Sequence, residues 1–233
     1  QHLLLPLREL FGIMQPMADE NIYKHIIFDL DDTLYPRSNG LMGEIGRRIQ
    51  VWLCEHMDLA WEEAVVLRRR YYTRYGTTLG GRVAEHAIDT RDYLVYVHDI
   101  TLEEYVTPSP ALDGFFFNDT PTTEIYTNAI SDYARRVLGM LGVDHHFEHV
   151  IGIEEVDLRN KPYQDAYERV LVQLQAWGPE CIMVEDSARN LNPAKALGMT
   201  TVLVDATPDW SVDYTVDSVL QVEQVIARLL EET

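Results

Sequence analysis

Two kinds of residue are scarce in this chain of 233, and one kind of segment is missing. Cysteine occurs only as Cys54 and Cys181, far apart, and Cys181 opens the apolar run "CIMV". Two isolated thiols make no disulfide framework, so free cysteines in a reducing, cytoplasmic setting are expected. Cations are also few: 19 Lys plus Arg stand against 38 Asp plus Glu, a formal net charge of -19. That sign excludes a general nucleic-acid binder, and any anion the protein takes has to be held locally. A long apolar run is missing. "QHLLLPLRELFGIM" is broken by Pro6, Arg8 and Glu9, is too short to cross a bilayer and has no basic region before it, so no membrane partner is expected. Residues 1–20 are expected to be an N-terminal extension outside the fold, with "MADENIYKHIIFDLDDT" reading as a natural start at Met17.

What is present suffices for a core: 46% of residues are hydrophobic and 24% charged. The length exceeds one typical domain and falls short of two, which suits a main domain carrying an insertion. Short apolar runs recur as "HIIF" (25–28), "IY" (125–126), "HVIGI" (149–153), "CIMV" (181–184) and "TVLV" (201–204), and read as buried strands. Between the later ones lie "SDYARRVLGMLG", "KPYQDAYERVLVQLQAWG" and "SARNLNPAKALG", with helical apolar spacing and glycine near each expected end. Strand alternating with helix predicts an α/β fold, a doubly wound parallel sheet. Residues 37–107 break the rhythm with three helical stretches and no strong strand, so they are expected to form a helical insertion after the first strand. The core is then residues 21–36 and 108–233.

In such a sheet, ligands bind beyond the carboxyl ends of the strands. Four polar clusters are expected there: Asp29 and Asp31 after "HIIF", Thr127 and Asn128 after "IY", Lys161 opening the helix after the third strand, and Glu185 and Asp186 after "CIMV". Singly, each also reads as a turn, a cap or a solvated charge. Together they describe one site. Carboxylates from two strand ends, Asp29 and Asp186, suit Mg²⁺, and the metal offsets the repulsion among the acids of "DLDDT". A hydroxyl, an amide and a lysine opposite can hold a tetrahedral anion, which describes phosphoryl transfer. Alternate residues of an extended segment share a face, so Asp29 and Asp31 are expected to meet one substrate while Leu30 turns inward.

The motifs "DLDDT", "TN", "KP" and "EDS", in this order between His25 and Asp205, resemble those of the haloacid dehalogenase-like hydrolases. "FDLDDTLYPRSNGL", "YGTTLGGR" and "EDSARNLNPAKALGMTTVLV" are similar to the pyrimidine 5'-nucleotidase branch, which acts on nucleoside monophosphates such as UMP and CMP. The resemblance implies that Asp29 is a nucleophile forming an aspartyl-phosphate with its other oxygen on Mg²⁺. Asp31 would serve as acid and then base, lending its backbone carbonyl to the metal. Thr127 and Lys161 would bind phosphoryl oxygens, Asp186 would be the second metal carboxylate, and Glu185 a ligand or its neighbour. The insertion corresponds to a helical cap over the site, with Arg82 a candidate substrate contact beside Asn128. Tyr72, Arg74 and Tyr75 are weighed equally as contacts and as packing, and Arg68, Arg69 and Arg70 as a solvated face. A dehalogenase has no use for Asp31. A signalling receiver would be about half as long. A phosphomutase, or a phosphate-binding relative with impaired catalysis, shares the same residues.

Two stretches stand apart. His145, His146 and His149 in "DHHFEH" are expected to be an exposed loop rather than a metal site. "ALDGFFFNDTPTTEIYTNA" holds Gly114, Asn118, Asp119 and Pro121, poor residues for the expected helix, and leaves little for a second strand. "FFFNDTPTTEIYT" also resembles the conceptual translation of a common sequencing adaptor, so a weakened strand of foreign origin is expected here. Uninterrupted sequencing of the original template through this region tests that origin.

Overall fold

The structure, a computed structural model, describes residues 22–86, 89–116 and 121–231. The expected extension before residue 21 and the turn residues Asn118 and Asp119 lie outside them. Six strands form one sheet: β1 (His25–Phe28), β2 (Thr122–Tyr126), β3 (Phe147–Ile151), β4 (Cys181–Glu185), β5 (Thr200–Val204) and β6 (Tyr214–Val216). Their spatial order is β3-β2-β1-β4-β5-β6, and every neighbouring pair is parallel. Because the chain winds outward both ways from β1, the strand order reverses between β1 and β4, where such sheets bind ligands. Alternate residues pack opposite layers: Ile26 and Phe28 join one core, Ile27 the other. Leu30, fully buried, continues the first layer just as the extended spacing of "DLDD" predicts.

Four strands match the expected runs to within two residues, β2 begins three residues earlier than expected, and the short, half-exposed β6 was not foreseen. β2 is longer than "IY": all five residues of "TTEIY" are strand, and it pairs with both β1 and β3. That places Glu124 at zero exposure in mid-sheet, where it binds the His25 Nδ1 at 2.7 Å. A carboxylate buried at this depth needs such a partner.

Between β1 and β2 lie α1 (Leu41–Met57), α2 (Trp61–Tyr75), α3 (Thr78–Glu85), α4 (Thr90–His98) and the short α5 (Pro110–Phe115). Helix α3 contains two adjacent glycines, which hid it in the sequence; the Thr77 side chain caps it by accepting from the Gly80 N–H at 2.9 Å. The insertion has its own apolar cluster, including Trp52, Leu53, Ala64, Leu79, Tyr93 and Val97. Its first and last turns belong to the main core through Leu41, Ile45, Ile100 and Leu102. The C-terminal half carries α6 (Ser131–Leu141), α7 (Gln164–Leu174), α8 (Ala188–Ala196) and α9 (Val222–Glu231). Among the described residues, no helix is long and apolar enough to cross a membrane.

Candidate active site

Sheet register sets the first two acids side by side. Phe28 pairs with Val184, and the Asp29 N–H donates to the Val184 carbonyl at 2.9 Å, so Asp29 and Glu185 emerge together at the switch point. Lys161 comes from the turn before α7, not from the helix itself, which begins at Gln164. Its ammonium donates to Asp29 Oδ1 at 2.6 Å, to Glu185 Oε2 at 2.7 Å and to the Tyr126 carbonyl at 3.1 Å. All three ionisable groups are buried.

One lysine thus serves two carboxylates, with Asp186 close by. Burial opposes the Lys161 charge, but Asp29 and Glu185 outweigh it and hold its pKa above the ordinary value. Burial drives Asp29 upward against the pull of Lys161, and drives Glu185 further up, with the Asp29 charge adding to the shift. The local balance is one positive charge short. Asp29, Glu185 and Asp186 each bring a carboxylate oxygen within 4.8 Å of the others. Hard oxygen donors with excess negative charge fit Mg²⁺. Arg37, which the sequence did not single out, bonds the outer side of that group, donating to Asp186 Oδ2 at 2.5 Å.

After Asp29 the chain turns sharply: Leu34 N–H returns to the Leu30 carbonyl at 3.0 Å, and Asp32 takes a left-handed φ of 62°. The Thr33 hydroxyl donates to Asp29 Oδ2 at 3.1 Å. Asp31 accepts from the Tyr133 hydroxyl at 2.9 Å and from the Tyr35 hydroxyl. Burial, then the neighbouring Asp29 charge, pushes the Asp31 carboxyl up to about 7 against these hydrogen bonds. A carboxyl poised near neutrality can give and take a proton. Neither tyrosine was legible as a partner; Tyr133 lies 102 residues from Asp31.

Thr127 and Asn128 follow β2 as expected. Thr127 Oγ1 accepts from the Ala129 N–H at 3.1 Å, and Asn128 Oδ1 accepts from the Lys161 N–H at 2.8 Å, tying two loops together. Both side chains line a cavity of about 520 Å³ that also takes in Asp29, Asp31, Lys161 and Glu185. Its other wall comes from the insertion, through Met42, Gln50, Val65, Arg68, Arg69 and Tyr72. Arg82 is not brought there: it is buried inside the insertion, over the Trp52 ring at 5.4 Å and on Met57 Sδ at 3.0 Å. An apolar cluster claimed it. The solvated face expected for Arg68 and Arg69 is instead a cavity wall, since only the fold shows what a helix face meets.

Insertion and core are joined at the end of α2. Arg189 donates to the Tyr72 and Thr73 carbonyls at 2.9 and 3.0 Å, and Asn160 donates to the Tyr75 carbonyl at 2.9 Å. Gly76, at φ 86°, permits this approach; a Cβ there would stand 2.6 Å from the Lys161 carbonyl oxygen. Of the histidines of "DHHFEH", His149 is not in a loop but stands exposed within β3, whereas His145 and His146 precede β3 at the opposite end of the sheet. There His146 is bonded to Asp113 at 2.8 Å rather than simply exposed, and His145 brings a third donor within 4.8 Å of that pair.

A glyceraldehyde 3-phosphate phosphatase of Methanocaldococcus jannaschii is 25% identical over 240 residues, spanning 90% of this chain and 99% of the relative. The crystal structure of a HAD phosphatase from Thermococcus onnurineus matches with a TM-score of 0.60 at 19% identity, over 87% of this chain and 97% of that one. A β-phosphoglucomutase from Clostridium difficile gives 0.57 at 18% identity, over 90% and 98%. These two structural likenesses concern the fold. The family model for haloacid dehalogenase-like hydrolases matches residues 23–198, from the residues before β1 to the glycine after α8, and the chain belongs to that family.

Proposed function

We propose that this protein is a Mg²⁺-dependent phosphatase that hydrolyses small phosphate monoesters through an aspartyl-phosphate on Asp29. The observation that carries the reading is the pairing of two acids in different surroundings. Asp29 is held on the Lys161 ammonium at 2.6 Å, and Asp31, two residues on, is shifted to about 7. Asp29 is suited to attack phosphorus, and Asp31 to deliver a proton to the departing alkoxide. Water then replaces Asp29 at phosphorus, Asp31 takes its proton, and inorganic phosphate leaves with Asp29 restored. Asp29, Asp186 and Glu185, with the Asp31 carbonyl, would hold Mg²⁺, which neutralises charge on the phosphoryl oxygens. Thr127, Asn128 and Lys161 orient those oxygens, and the helical insertion acts as a cap that limits water.

The nucleoside 5'-monophosphate substrate implied by the resemblance to pyrimidine 5'-nucleotidases has one observation in its favour. Tyr72 is exposed on the cavity wall beside Met42, Ile49 and Val65, an apolar surface on which a base can stack. Phosphate release from UMP, CMP and p-nitrophenyl phosphate, with and without Mg²⁺ and beside Asp29→Asn, tests the chemistry. Metal-dependent release lost in the variant is expected. Isomerised phosphate ester in place of free phosphate indicates a mutase, and no turnover of any ester overturns the reading.

A further inference from the structure

Among the described arginines without a carboxylate or carbonyl partner, Arg69, Arg74 and Arg91 are exposed to water and Arg82 is buried on Met57 Sδ and the Trp52 ring, whereas Arg68 is half-buried on the cavity. Arg37 binds Asp186, Arg47 binds Glu44, Arg70 binds Glu85 and Arg159 binds Asp165, while Arg136 is held by backbone carbonyls. Arg68 is half-buried in the cavity wall, and among the described residues no carboxylate or carbonyl satisfies its guanidinium. In a chain with 38 acids, that is not for want of partners. Burial pushes its pKa down, and the Tyr93 side chain offsets this only in part.

The guanidinium also has a seat of its own. It lies in a notch of α1 at Gly46, where a Cβ would stand 2.5 Å from Nη2, 2.8 Å from Nη1 and 2.9 Å from Cζ. A side chain at that position would have to displace the guanidinium. Arg68 also lines the cavity, and the planar fork of a guanidinium suits a carboxylate or phosphate that reaches it there. The acids, Lys161 and Arg189 line the cavity from the core, and Arg68 and Arg69 line it from the insertion. An ester with its phosphoryl group at Asp29 extends its leaving group toward the second set. We propose that Arg68 is a specificity-determining residue that binds an acidic group, a carboxylate or a second phosphate, on the leaving group of the substrate. This rests on the phosphatase reading for the position of the phosphoryl group. An uncharged nucleoside leaves Arg68 without its anion.

Calorimetry on the full chain with Mg²⁺ present tests the binding without turnover. Phosphonoacetate, 3-phosphonopropionate and 4-phosphonobutyrate are compared with alkylphosphonates of matching length. At one length or more the acid-bearing compound is expected to bind roughly 10-fold or more tightly than its alkyl counterpart, the usual gain for a charge-assisted hydrogen bond. Arg68→Ala abolishes that ratio, Arg68→Lys keeps part of it, and Gly46→Ala lowers it by displacing the guanidinium. In turnover, 2-phosphoglycolate and 3-phosphoglycerate exceed UMP and glycerol 1-phosphate in kcat/KM, and the loss in Arg68→Ala falls mainly on KM. A bisphosphate in the same panel separates a second phosphate from a carboxylate. Equal binding of acid-bearing and alkyl phosphonates at every length overturns the assignment, as does a loss in Arg68→Ala shared equally by both series. Failure to hydrolyse any ester sinks the phosphatase reading instead, and the phosphonate comparison still decides Arg68.

Discussion

At Lys161 a single ammonium, 1% exposed, keeps two buried carboxylates apart. Replacing it with Met strands Asp29 and Glu185 without a cation. The expected cost is about 3–5 kcal/mol in urea unfolding, the usual penalty for breaking a buried pair from one side. A midpoint unchanged from the parent would show that the two acids were already neutral. Asp31 makes a sharper kinetic prediction. Asp31→Asn is expected to lower kcat by about 10²- to 10⁴-fold on an alkyl phosphate, the range for a lost general acid–base group. Nitrophenolate leaves without a proton, so the loss on p-nitrophenyl phosphate is smaller. Equal losses on both esters would remove Asp31 from the proton-transfer role. The acids, Thr127 and Lys161 were legible because each directly follows an apolar strand or opens a turn after one. Tyr35 and Tyr133 were not, because a partner 102 residues away leaves no local trace.

At the scale of elements, two joints are exposed to test. Gly76 ends α2 with a left-handed φ of 86° and a gap that a methyl group cannot enter. Gly76→Ala is expected to cost about 1–3 kcal/mol from backbone strain and to raise KM by shifting the insertion against the Lys161 loop. Thermal melts and steady-state kinetics read the two effects separately. The other joint pairs β1 with β2. The hydrogen bond that His25 donates to Glu124 holds the His25 pKa above its ordinary 6.5, while burial holds Glu124 above 4.5 against the pull of His25. Both groups bind protons more tightly folded than unfolded, so each stabilising share is complete in acid and is lost as pH rises through that group's own folded pKa, first for Glu124 and then for His25. Urea midpoints are expected to fall as pH rises above 6.5, the ordinary value of histidine, and Glu124→Gln should flatten part of that slope. An identical slope in the variant would assign the dependence to other groups. β2 begins three residues earlier than the run "IY" because Thr122 and Thr123 also favour strand and the segment is paired on both sides, with only Glu124 out of pattern.

For the whole molecule, the net charge of -19 and the proposed metal site predict a stability that depends on divalent cations. A Mg²⁺ held by the folded chain alone, as proposed, should at about 100 times its Kd add about 2.7 kcal/mol, seen as a rise in Tm that Asp186→Asn removes. Sodium chloride at matched ionic strength is the control, because screening alone relieves self-repulsion in so acidic a protein. A rise of equal size in sodium chloride would reduce the effect to screening.

The sequence by itself determined the winding of the sheet and the acids at its centre. Apolar runs of strand length force their ends to a common edge, and polar residues just beyond those ends cannot avoid one another. Only the tertiary structure decided what faces them. Arg68 and Arg82 lie on the same insertion, yet one lines the cavity and the other is buried over Trp52. Helical periodicity shows which residues share a face but not which neighbour covers it, and here that neighbour is set by contacts such as Gly46 and Gly76, where the absence of a side chain lets another group in.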